Sequence, residues 1–521
     1  MKKIFLFILV AALISYNSSA QVYSDVAGIF YNRCTSCHHE NQHAPSFMYY
    51  SEVSQYCLNI QTNLNINKMP PWPPDTNYTR FLYERTISQS EKNAILSWVT
   101  GGCQQGDTTL APAAPTYPQY QLYGIPNIEL TIPVFTSNAN TDDAYNCFSI
   151  PSGLTQDRWL RAYEIVPGNP AIVHHVIVNV DTVGNTTNDL SGNCFNASGN
   201  FSLGGYAPGA APTVFPGIAP LKAGIRIKAN SKIVLQLHYP AGTAGQQDST
   251  KIRLFFYPIG ETGIRPVFVS TPLQNWFLNI PANTVQTFTA QYNLTVPLSM
   301  FAAFPHSHKV CTSIINYANN GTDTIPLIRI NNWKFDWQGF YTYRNLVRIP
   351  AGYTLRSRHV YDNTTANPDN PNSPPQLVIA GTSTTDEMLF DAFMYLSYQT
   401  GDENIDIASL LANDTLLHLL PTAVNNIASL KIFSEAYPNP FDRNIKISYR
   451  ISQAAPVTVS VYNMYGSVVK RLSDTFTTAG HYEMEWNGQN DSGEKVSPGV
   501  YFYSIRAGKT LKSGKMVLLP R

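Results

Sequence analysis

Ile172–Val178 reads Ile-Val-His-His-Val-Ile-Val, a run of mostly β-branched residues that holds two adjacent histidines. β-Branched side chains favour extended backbone, so the run predicts a β-strand with two imidazoles in its middle. Similar short apolar runs occur at Lys232–His238 and Lys251–Tyr257, with turn residues between them. We therefore predict a mainly β protein whose central region, residues 126–398, forms antiparallel β-sandwiches.

The composition fits several β-rich domains. The 521 residues are 44% hydrophobic and only 13% charged, with 31 Tyr and 36 Pro. This length predicts three to five domains, and the apolar share is sufficient for packed cores. Tyr and Pro in such numbers favour strands joined by turns. The formal net charge is +1, so we expect no nucleic-acid partner.

The N-terminus has the three parts of an export signal. Lys2 and Lys3 precede the apolar run Ile4–Ile14, and small residues follow as far as Ala20. The run is too short to span a bilayer, so we expect cleavage after Ala20 rather than the alternative, a membrane anchor. Residues 1–20 are interpreted as a signal peptide for export through the Sec route. The mature protein would be secreted or attached at the outer cell surface, where disulfides persist.

Five of the seven cysteines are candidates for disulfides. We expect a bridge between Cys57 and Cys103 and consider a second one between Cys147 and Cys194, which would leave Cys311 unpaired. Sequence alone does not fix this connectivity, so other pairings stay open.

The remaining two cysteines belong to Cys34-Thr35-Ser36-Cys37-His38, which has the spacing of a c-type haem attachment site. Two thiols at this spacing can bond the two haem vinyl groups, and His38 then faces the iron. Met69, within Lys-Met-Pro-Pro-Trp, is the candidate sixth ligand, since a thioether raises the reduction potential. We predict a short helix before the motif and a closing helix over Ser88–Val99. The alternatives for the cysteine pair are a disulfide and a zinc site.

On these motifs, residues 23–107 resemble small class I-like cytochrome c domains that accompany oxidoreductase domains. The resemblance implies a helical haem domain over residues 21–107. The residues that would hold one c-type haem are Cys34, Cys37, His38 and Met69. Residues 108–125 contain Ala-Pro-Ala-Ala-Pro and predict a stiff spacer that keeps the haem near the next domain.

The central region holds six candidate metal ligands. Three histidines in apolar runs would form a nitrogen-rich site: His174, His175 and His238. His306 and His308 stand at i and i+2, on one face of a predicted strand, and Met388 follows downstream. Three imidazoles suit copper in both oxidation states, whereas two imidazoles and a thioether favour Cu(I) with a position open for O₂. The alternatives are histidines satisfied within a core, a methionine that only packs, and zinc.

The order of these motifs resembles one enzyme family. His-His, Leu-Gln-Leu-His-Tyr, His-x-His and Asp-Glu-Met follow one another, with linking phrases at residues 206–209, 336–338 and 361–363. Residues 126–398 thereby resemble the copper type II ascorbate-dependent monooxygenases, the family of peptidylglycine hydroxylating monooxygenase and dopamine β-monooxygenase. The resemblance implies two jelly-roll-like β-sandwiches with one copper ion on each. It assigns electron transfer to the three-histidine copper. The catalytic, O₂-activating copper would be held by His306, His308 and Met388.

Several positions depart from the peptide-hydroxylating members of that family. Phe304 stands in place of an Arg that pairs with a substrate carboxylate, and Ala392 stands in place of a Tyr. Leu389 and His359 take the positions of a disulfide, so we assign His359 a structural role, with substrate or proton handling as the alternative. A peptide with a free carboxylate is therefore not expected. Together with Phe390, these residues favour an apolar or aromatic substrate.

The C-terminal part has its own pattern. After a connector at residues 402–432, the chain opens on Tyr-Pro-Asn-Pro-Phe at 437–441 and closes with Gly-Val-Tyr at 499–501. Strands are predicted at Ile445–Ser448, Val457–Val461 and Tyr482–Trp486, within a seven-stranded sandwich. Residues 433–521 resemble the C-terminal sorting domains of the type IX secretion system of Bacteroidetes. The resemblance implies recognition by that secretion machinery, whereas the alternative is an Ig-like module that binds a protein or carbohydrate.

Two functions follow from the sequence. The first is a secreted monooxygenase that hydroxylates a C–H bond of a small organic substrate with O₂, with electrons from ascorbate, the fused haem or an electron-donor protein. The second is a non-catalytic copper and haem protein that binds metal or passes electrons at the cell surface. The predicted domains are a signal peptide (1–20), a haem domain (21–107), a linker (108–125), a first copper-binding sandwich (126–260), a second (261–401), a connector (402–432) and a sorting domain (433–521).

Overall fold

The protein is mainly β, as predicted, with a small helical domain at one end and an Ig-like domain at the other. A computed structural model describes residues 21–40, 42, 44–194, 199–414, 432–451, 455–477, 480–507 and 510–520. The predicted signal peptide lies outside the described residues. No helix within the described ranges is long and apolar enough to cross a membrane.

The helical domain forms where the sequence predicts a haem domain. Its helices are α1 (Tyr23–Arg33), α2 (Tyr50–Val53), α3 (Cys57–Asn65) and α4 (Gln89–Thr100). Ser88 caps α4, because its hydroxyl accepts from the Glu91 N–H at 3.2 Å and the Glu91 carboxylate accepts from the Ser88 N–H at 2.8 Å. Phe30 and Trp98 are fully buried between α1 and α4. The predicted Cys57–Cys103 disulfide is confirmed and ties the start of α3 to the end of the domain.

The first sandwich follows the linker. Its strands are β1 (Ile128–Thr131), β2 (Phe135–Thr136), β3 (Ala144–Pro151), β4 (Arg158–Val166), β5 (His175–Asp181), β6 (Asp189–Gly192), β7 (Phe201–Tyr206), β8 (Thr213–Val214), β9 (Gly217–Ile218), β10 (Leu221–Ile227), β11 (Lys232–Tyr239), β12 (Gln247–Asp248), β13 (Lys251–Phe256) and β14 (Arg265–Pro266). One sheet runs β1-β13-β4-β10-β14 and the other β6-β3-β11-β5-β7. The second predicted disulfide, Cys147–Cys194, is also confirmed and joins β3 to the chain after β6.

The second sandwich has the same two-sheet plan. Its strands are β15 (Phe268–Asn275), β16 (Asn279–Ile280), β17 (Thr284–Asn293), β18 (Leu298–Phe304), β19 (Cys311–Asn319), β20 (Thr324–Ile330), β21 (Tyr341–Ile349), β22 (Thr354–Asn363), β23 (Val378–Ile379) and β24 (Leu389–Ser397). One sheet runs β15-β24-β18-β21 and the other β17-β22-β19-β20. Cys311 is buried between them with a free thiol, as expected for the unpaired cysteine.

The two sandwiches share one apolar core. The rings of Phe215 and Phe301, one from each sandwich, lie 5.4 Å apart and are buried. The short helix α5 (Ile407–Ala412) packs Ile407 and Leu411 into the same core. Asp414 forms a buried ion pair with Arg161 of the first sandwich. The first part of the predicted connector is therefore docked on the sandwiches, and residues 415–431 lie outside the described ones.

The predicted seven-stranded C-terminal domain also forms. Its described strands are β25 (Ile432–Tyr437), β26 (Ile445–Ile451), β27 (Ala455–Tyr462), β28 (Val468–Thr477), β29 (Gly480–Trp486), β30 (Gly499–Ala507) and β31 (Thr510–Leu518). They make a three-stranded sheet, β25-β26-β29, and a four-stranded sheet, β28-β27-β30-β31. Trp486 is buried between the sheets against Phe441 and Tyr501. Arg450 of this domain pairs with Asp25 of α1.

Residues 70–85, which follow Met69, pack against the second sandwich, and we call them the strap. Asp75 pairs with Arg329 at 2.7 Å, and the Leu82 N–H donates to the carbonyl of Thr342 at 2.8 Å. The linker is docked as well, because Leu122 is buried in the core of the first sandwich. The helical domain is thus fixed against both sandwiches rather than tethered to them.

Candidate metal and haem centres

The three-histidine cluster forms where β5 and β11 pair. His238 lies in β11 directly opposite His175, the first residue of β5. The His174 N–H donates to the His238 carbonyl at 3.0 Å, which continues the pairing beyond the strand. The prediction that His174 lies within a strand was wrong. The N–H groups of Ile172 and Val173 turn back to the carbonyl of Asn169, so the strand begins only at His175.

The three imidazoles of this cluster face one another through their Nδ1 atoms. Nδ1 of His175 lies 3.3 Å from Nδ1 of His174 and 3.2 Å from Nδ1 of His238. All three residues offer ligand atoms within 4.8 Å of one another. Nitrogens bound at about 2.0 Å to a tetrahedral metal ion are about 3.3 Å apart. The spacing therefore fits one metal ion with three nitrogen ligands.

The surroundings keep the His175 imidazole neutral and orient that of His238. Burial, followed by the neighbouring His238 and His174, lowers the pKa of His175 well below its usual value. Nε2 of His238 lies 2.9 Å from Oδ2 of Asp143, so it donates outward and leaves Nδ1 free for a metal. The Tyr145 ring stacks on the His238 ring at 4.4 Å. Sequence reasoning missed both Asp143 and Tyr145, although Tyr145 lies opposite His238 in the β3–β11 pairing.

The second pair of histidines also lies together, but not on a strand. We predicted that His306 and His308 share a strand face, and this was wrong because β18 ends at Phe304. Pro305 has no N–H with which to continue the strand, so both histidines stand in the loop before β19. Their ring centroids are nevertheless 5.2 Å apart and nearly perpendicular.

Each of these rings has one nitrogen already engaged. Nδ1 of His306 contacts Oε1 of Gln338, and Nδ1 of His308 lies 3.1 Å from the carbonyl of Asp386. Both partners are acceptors, so each Nδ1 carries the hydrogen and each Nε2 keeps its lone pair. Burial, and for His306 also the neighbouring His308, lowers the pKa of His306 to about 3 and that of His308 to about 4. Two neutral Nε2 donors are thus available for a soft metal ion.

Met388 is fixed beside these histidines through its backbone. Its carbonyl accepts from the hydroxyls of Ser307, at 2.5 Å, and Tyr361, at 2.9 Å. The preceding residue, Glu387, is fully buried and accepts from the N–H groups of His308 and Val310 at 2.8 and 2.7 Å. Burial raises the pKa of Glu387 to about 8. The loop that carries Met388 is therefore tied to the histidine loop, while the thioether as a ligand stays a prediction.

Aromatic residues flank His306. The Phe304 ring stacks on it at 6.0 Å, and the Phe390 ring meets it edge-on at 6.3 Å. Trp276, which is about half exposed, contacts Phe390 at 6.5 Å. Ala392 lies opposite Phe304 in the β18–β24 pairing. The apolar surroundings that the sequence indicated at Phe304, Phe390 and Ala392 are thus in place around this histidine.

Charged residues of the second sandwich act on the surroundings of the three-histidine cluster. Asp143, the partner of His238, has its pKa lowered to about 2, chiefly by the His238 hydrogen bond and further by the positive charge of Lys309. Lys309 follows His308 in the sequence, so a residue of each cluster is within electrostatic reach of the other. Asp336 of the second sandwich likewise contributes to the raised pKa of Tyr145.

The Cys-x-x-Cys-His motif forms a turn at the end of α1. The N–H groups of Cys37 and His38 donate to the carbonyl of Cys34 at 3.1 and 3.0 Å. Both cysteines are free thiols, and burial raises the pKa of Cys34 to about 12. Nδ1 of His38 lies 2.8 Å from the carbonyl of Pro45, so its Nε2 is left as a ligand. Two unpaired thiols beside an oriented histidine fit a covalently attached haem. Met69 lies in the loop after α3, and its role as sixth ligand stays a prediction.

This motif touches the first sandwich next to the three-histidine cluster. Sγ of Cys37 lies 3.3 Å from the carbonyl of Pro208, in the loop after β7. A Cβ on Gly209 would lie 2.1 Å from the same sulfur. Tyr206, at the end of β7, lies opposite Val176, which follows His175 in β5. The loop after β7 and the pairing of β7 with β5 therefore connect the Cys-x-x-Cys-His motif to the three-histidine cluster.

Comparison with known proteins identifies the C-terminal domain alone. A family model for the FlgD Ig-like domain matches residues 440–510, in agreement with the seven-stranded sandwich. No curated protein matches the chain.

Three solved structures that match the chain do so weakly. PorZ, a surface component of the type IX secretion system of Porphyromonas gingivalis, is 22% identical over 16% of this chain and 11% of its own, with a TM-score of 0.14. Dimeric latent PorU from the same organism is 12% identical over 72% of this chain and 34% of its own, with a TM-score of 0.17. Faecalibacterium prausnitzii β-glucuronidase is 10% identical over 50% and 47% of the two chains, with a TM-score of 0.15. The chain thus spans less than half of each, and TM-scores this low do not establish a shared fold.

Proposed function

We propose that this chain is an exported two-copper monooxygenase that hydroxylates a C–H bond of a small organic substrate. The convergence of three Nδ1 atoms from His174, His175 and His238 carries the proposal. A second, unlike donor set in the second sandwich strengthens it. That set is His306 and His308, in the loop after β18, and Met388, directly before β24.

Copper would supply one-electron chemistry at the first site and O₂ activation at the second. Hydroxylation inserts one oxygen atom into a C–H bond and releases the other as water, which consumes two electrons and two protons. The residues of this chain orient the donors and shape the site. Gln338 and the Asp386 carbonyl fix the tautomers of His306 and His308. Phe304 and Phe390 limit water on either side of His306 and present an apolar face to a substrate.

The position of the Cys-x-x-Cys-His motif supports a role for a haem as electron donor to the first site. A haem carries one electron at a time, and two are needed per turnover. The contact of Cys37 with Pro208, followed by the β7–β5 pairing, leads from the motif to His175. We propose that a haem held by Cys34, Cys37, His38 and Met69 passes electrons from a donor protein to the three-histidine copper, which ascorbate would also reduce directly.

Turnover with selective variants tests the enzyme proposal. The copper-loaded chain, supplied with a reductant, should consume O₂ in the presence of a substrate from an apolar or aromatic panel. His238→Ala and His308→Ala should each abolish this consumption while retaining one copper ion per chain. Copper uptake with no O₂ consumption by any member of the panel would instead favour the non-catalytic metal-binding function.

A second experiment tests the haem as electron relay. Turnover driven by a protein electron donor should fall at least tenfold in Met69→Ala and His38→Ala, while ascorbate-driven turnover is retained. Equal rates in the parent and both variants with the protein donor would contradict the relay.

We further propose that residues 433–521 address the chain to the type IX secretion machinery. The Tyr-Pro-Asn-Pro opening at 437–440 and the seven-stranded Ig-like fold support this role. Deletion of residues 433–521 should abolish appearance of the protein outside the cell and leave its copper content unchanged. Export of the shortened chain at the parent level would contradict a role of residues 433–521 in secretion.

A further inference from the structure

A chain of buried polar groups lies beneath the second donor set, and its centre is His359. The side chain of His359 is fully buried between the two sheets of the second sandwich, on β22. Ser307, the residue between the two histidine ligands, is buried as well. Its hydroxyl lies 2.9 Å from Nδ1 of His359 and 2.5 Å from the carbonyl of Met388.

The carboxylate of Asp391 accepts from the ring, so Nε2 of His359 carries the hydrogen and Nδ1 is an acceptor. Nδ1 then accepts from the hydroxyl of Ser307 or of Tyr361, and the other hydroxyl donates to the carbonyl of Met388. Tyr361 makes the same two contacts, with the Met388 carbonyl at 2.9 Å and with Nδ1 at 3.3 Å. His359 thereby orients the hydroxyl that joins the histidine loop to the methionine loop.

The other side of the ring reaches the histidine loop by a second route. Nε2 of His359 lies 3.1 Å from Oδ2 of Asp391, which is fully buried on β24. Oδ1 of Asp391 accepts from the N–H of His306 at 3.2 Å. Ser357 donates to Oδ2 at 2.5 Å. One imidazole therefore connects to the backbone of His306, to Ser307 and, through it, to Met388.

A buried hydrogen-bond network destabilises the fold if any of its polar groups lacks a partner. A fully paired network therefore favours one arrangement of the groups that it joins. Here it joins two loops that are far apart in sequence and carry all three donors of the second set. A metal site needs its donors held to a few tenths of an ångström.

We propose that His359 is a positioning residue of the second metal site: it holds the loop of His306 and His308 and the loop of Met388 at the separation that Cu(I) requires. This inference rests on the proposed function for its metal ion. The ligand class at this site is thus a soft monovalent ion held by two Nε2 atoms and a thioether.

Copper titration of the full-length haem-containing chain tests the role. His359→Leu removes both ring nitrogens, and His359→Asn keeps an acceptor near the position of Nδ1 and loses the contact with Asp391. With Cu(I) and a competing chelator, His359→Leu should bind the second copper about 10–100-fold more weakly than the parent. The first copper should bind as in the parent, and His359→Asn should recover part of the loss. X-ray absorption of the Cu(I) form should show less sulfur scattering in His359→Leu.

A buried carboxylate near the start of β18, at the other end of the strand from His306, gives the matched control. Asp402 is buried, pairs with Arg265 at 2.6 Å and accepts from Ser299 of β18 at 2.5 Å, away from the donors. Asp402→Asn should lower the melting temperature and leave both copper affinities and the sulfur scattering unchanged. This separates loss of stability from loss of positioning.

The outcomes are distinguishable. Parent-like affinity and sulfur scattering for the second Cu(I) in His359→Leu would overturn the role of His359 alone. A parent chain that takes up no second copper would overturn the proposed function and this inference with it. If His359→Leu does not fold, His359→Asn carries the test, and parent-like binding by that variant together with Ser307→Ala would overturn the inference.

Discussion

At the scale of single residues, the two donor sets differ in which imidazole nitrogen is free. His238 directs Nε2 to Asp143, which leaves Nδ1 for a metal, and its two neighbours present Nδ1 to the same point. His306 and His308 have Nδ1 engaged and so present Nε2. In His238, His306 and His308, the acceptor that binds one ring nitrogen thus determines which nitrogen is left for a metal.

Asp143→Asn should weaken copper at the first site. The amide cannot accept from Nε2 of His238 as strongly as the carboxylate does, so the ring loses its fixed orientation and some of its basicity. Copper affinity at that site should fall about tenfold or more, with the second site unaffected. A competition titration measures both affinities, and Asp142→Asn, at the exposed neighbouring position, is the control. Equal affinity in the parent and Asp143→Asn would contradict the orienting role.

Gly209→Ala should disturb the contact between the haem motif and the first sandwich. Gly209 has φ +74°, and a Cβ there would lie 2.1 Å from Sγ of Cys37. Gly242 has φ +82° with open space around it, so Gly242→Ala carries the same backbone strain of about 1–2 kcal/mol without the clash.

Stopped-flow reoxidation of the haem by the copper-loaded chain should be slower in Gly209→Ala than in Gly242→Ala, by about tenfold if Cys37 moves away from Pro208. Identical reoxidation rates in the two variants would show that electrons do not pass through this contact.

The candidate ligands could be predicted from sequence, whereas the residues that orient them could not. His-His, His-x-His and Cys-x-x-Cys-His are local patterns whose spacing is tied to a chemistry. Asp143, Gln338 and Ser307 act through contacts between segments distant in sequence, and nothing near them in the sequence marks that role. His359 could be singled out, but its partners Asp391 and Ser307 appear only once the two sheets face each other.

At the scale of strands and loops, the sandwiches were predictable and the ends of their strands were less so. The apolar run Lys232–His238 predicted the ends of β11 to within one residue, because its apolar side chains face a continuous core. His174 and His306 were placed in strands because an apolar run was extended past a turn and past Pro305. Both corrections move donors out of regular strands, where the alternation of side-chain directions no longer fixes where each imidazole points.

The strap gives a pH prediction at this scale. The pKa of Asp75 lies below its usual value because Arg329, Asn77 and Asn331 donate to its carboxylate. A lowered folded-state pKa means that ionised Asp75 stabilises the docked strap above about pH 4, the usual Asp value, and that this contribution is lost as the pH falls through the lowered pKa.

Asp75→Asn should therefore cost about 1 kcal/mol at pH 7, and the cost should shrink towards pH 3. Melting curves of the parent and the variant at both pH values measure it. Asp369→Asn, which breaks an exposed ion pair with Lys334 on the same sandwich, should have little effect at either pH. A cost for Asp75→Asn that is equal at pH 7 and pH 3 would contradict the assignment.

At the scale of the whole molecule, the helical domain contacts both sandwiches, and the contacts differ. Its cysteine motif touches the loop after β7 of the first sandwich, and its strap lies along β21 of the second. The sequence predicted a spacer of suitable length but not that Leu122 and the strap would be packed, since docking depends on surfaces of other domains. The Cys-x-x-Cys-His motif thus contacts the sandwich that carries the three-histidine cluster, and the strap contacts the sandwich that carries the second donor set.

The most direct test of the central claim is the metal and haem content of the mature full-length protein, with copper and zinc counted by mass spectrometry and haem by its absorption spectrum. The account predicts two copper ions and one c-type haem per chain, with one copper lost in His238→Ala and the other in His308→Ala. A chain that carries haem but no copper, or zinc in place of copper at His174, His175 and His238, would contradict it.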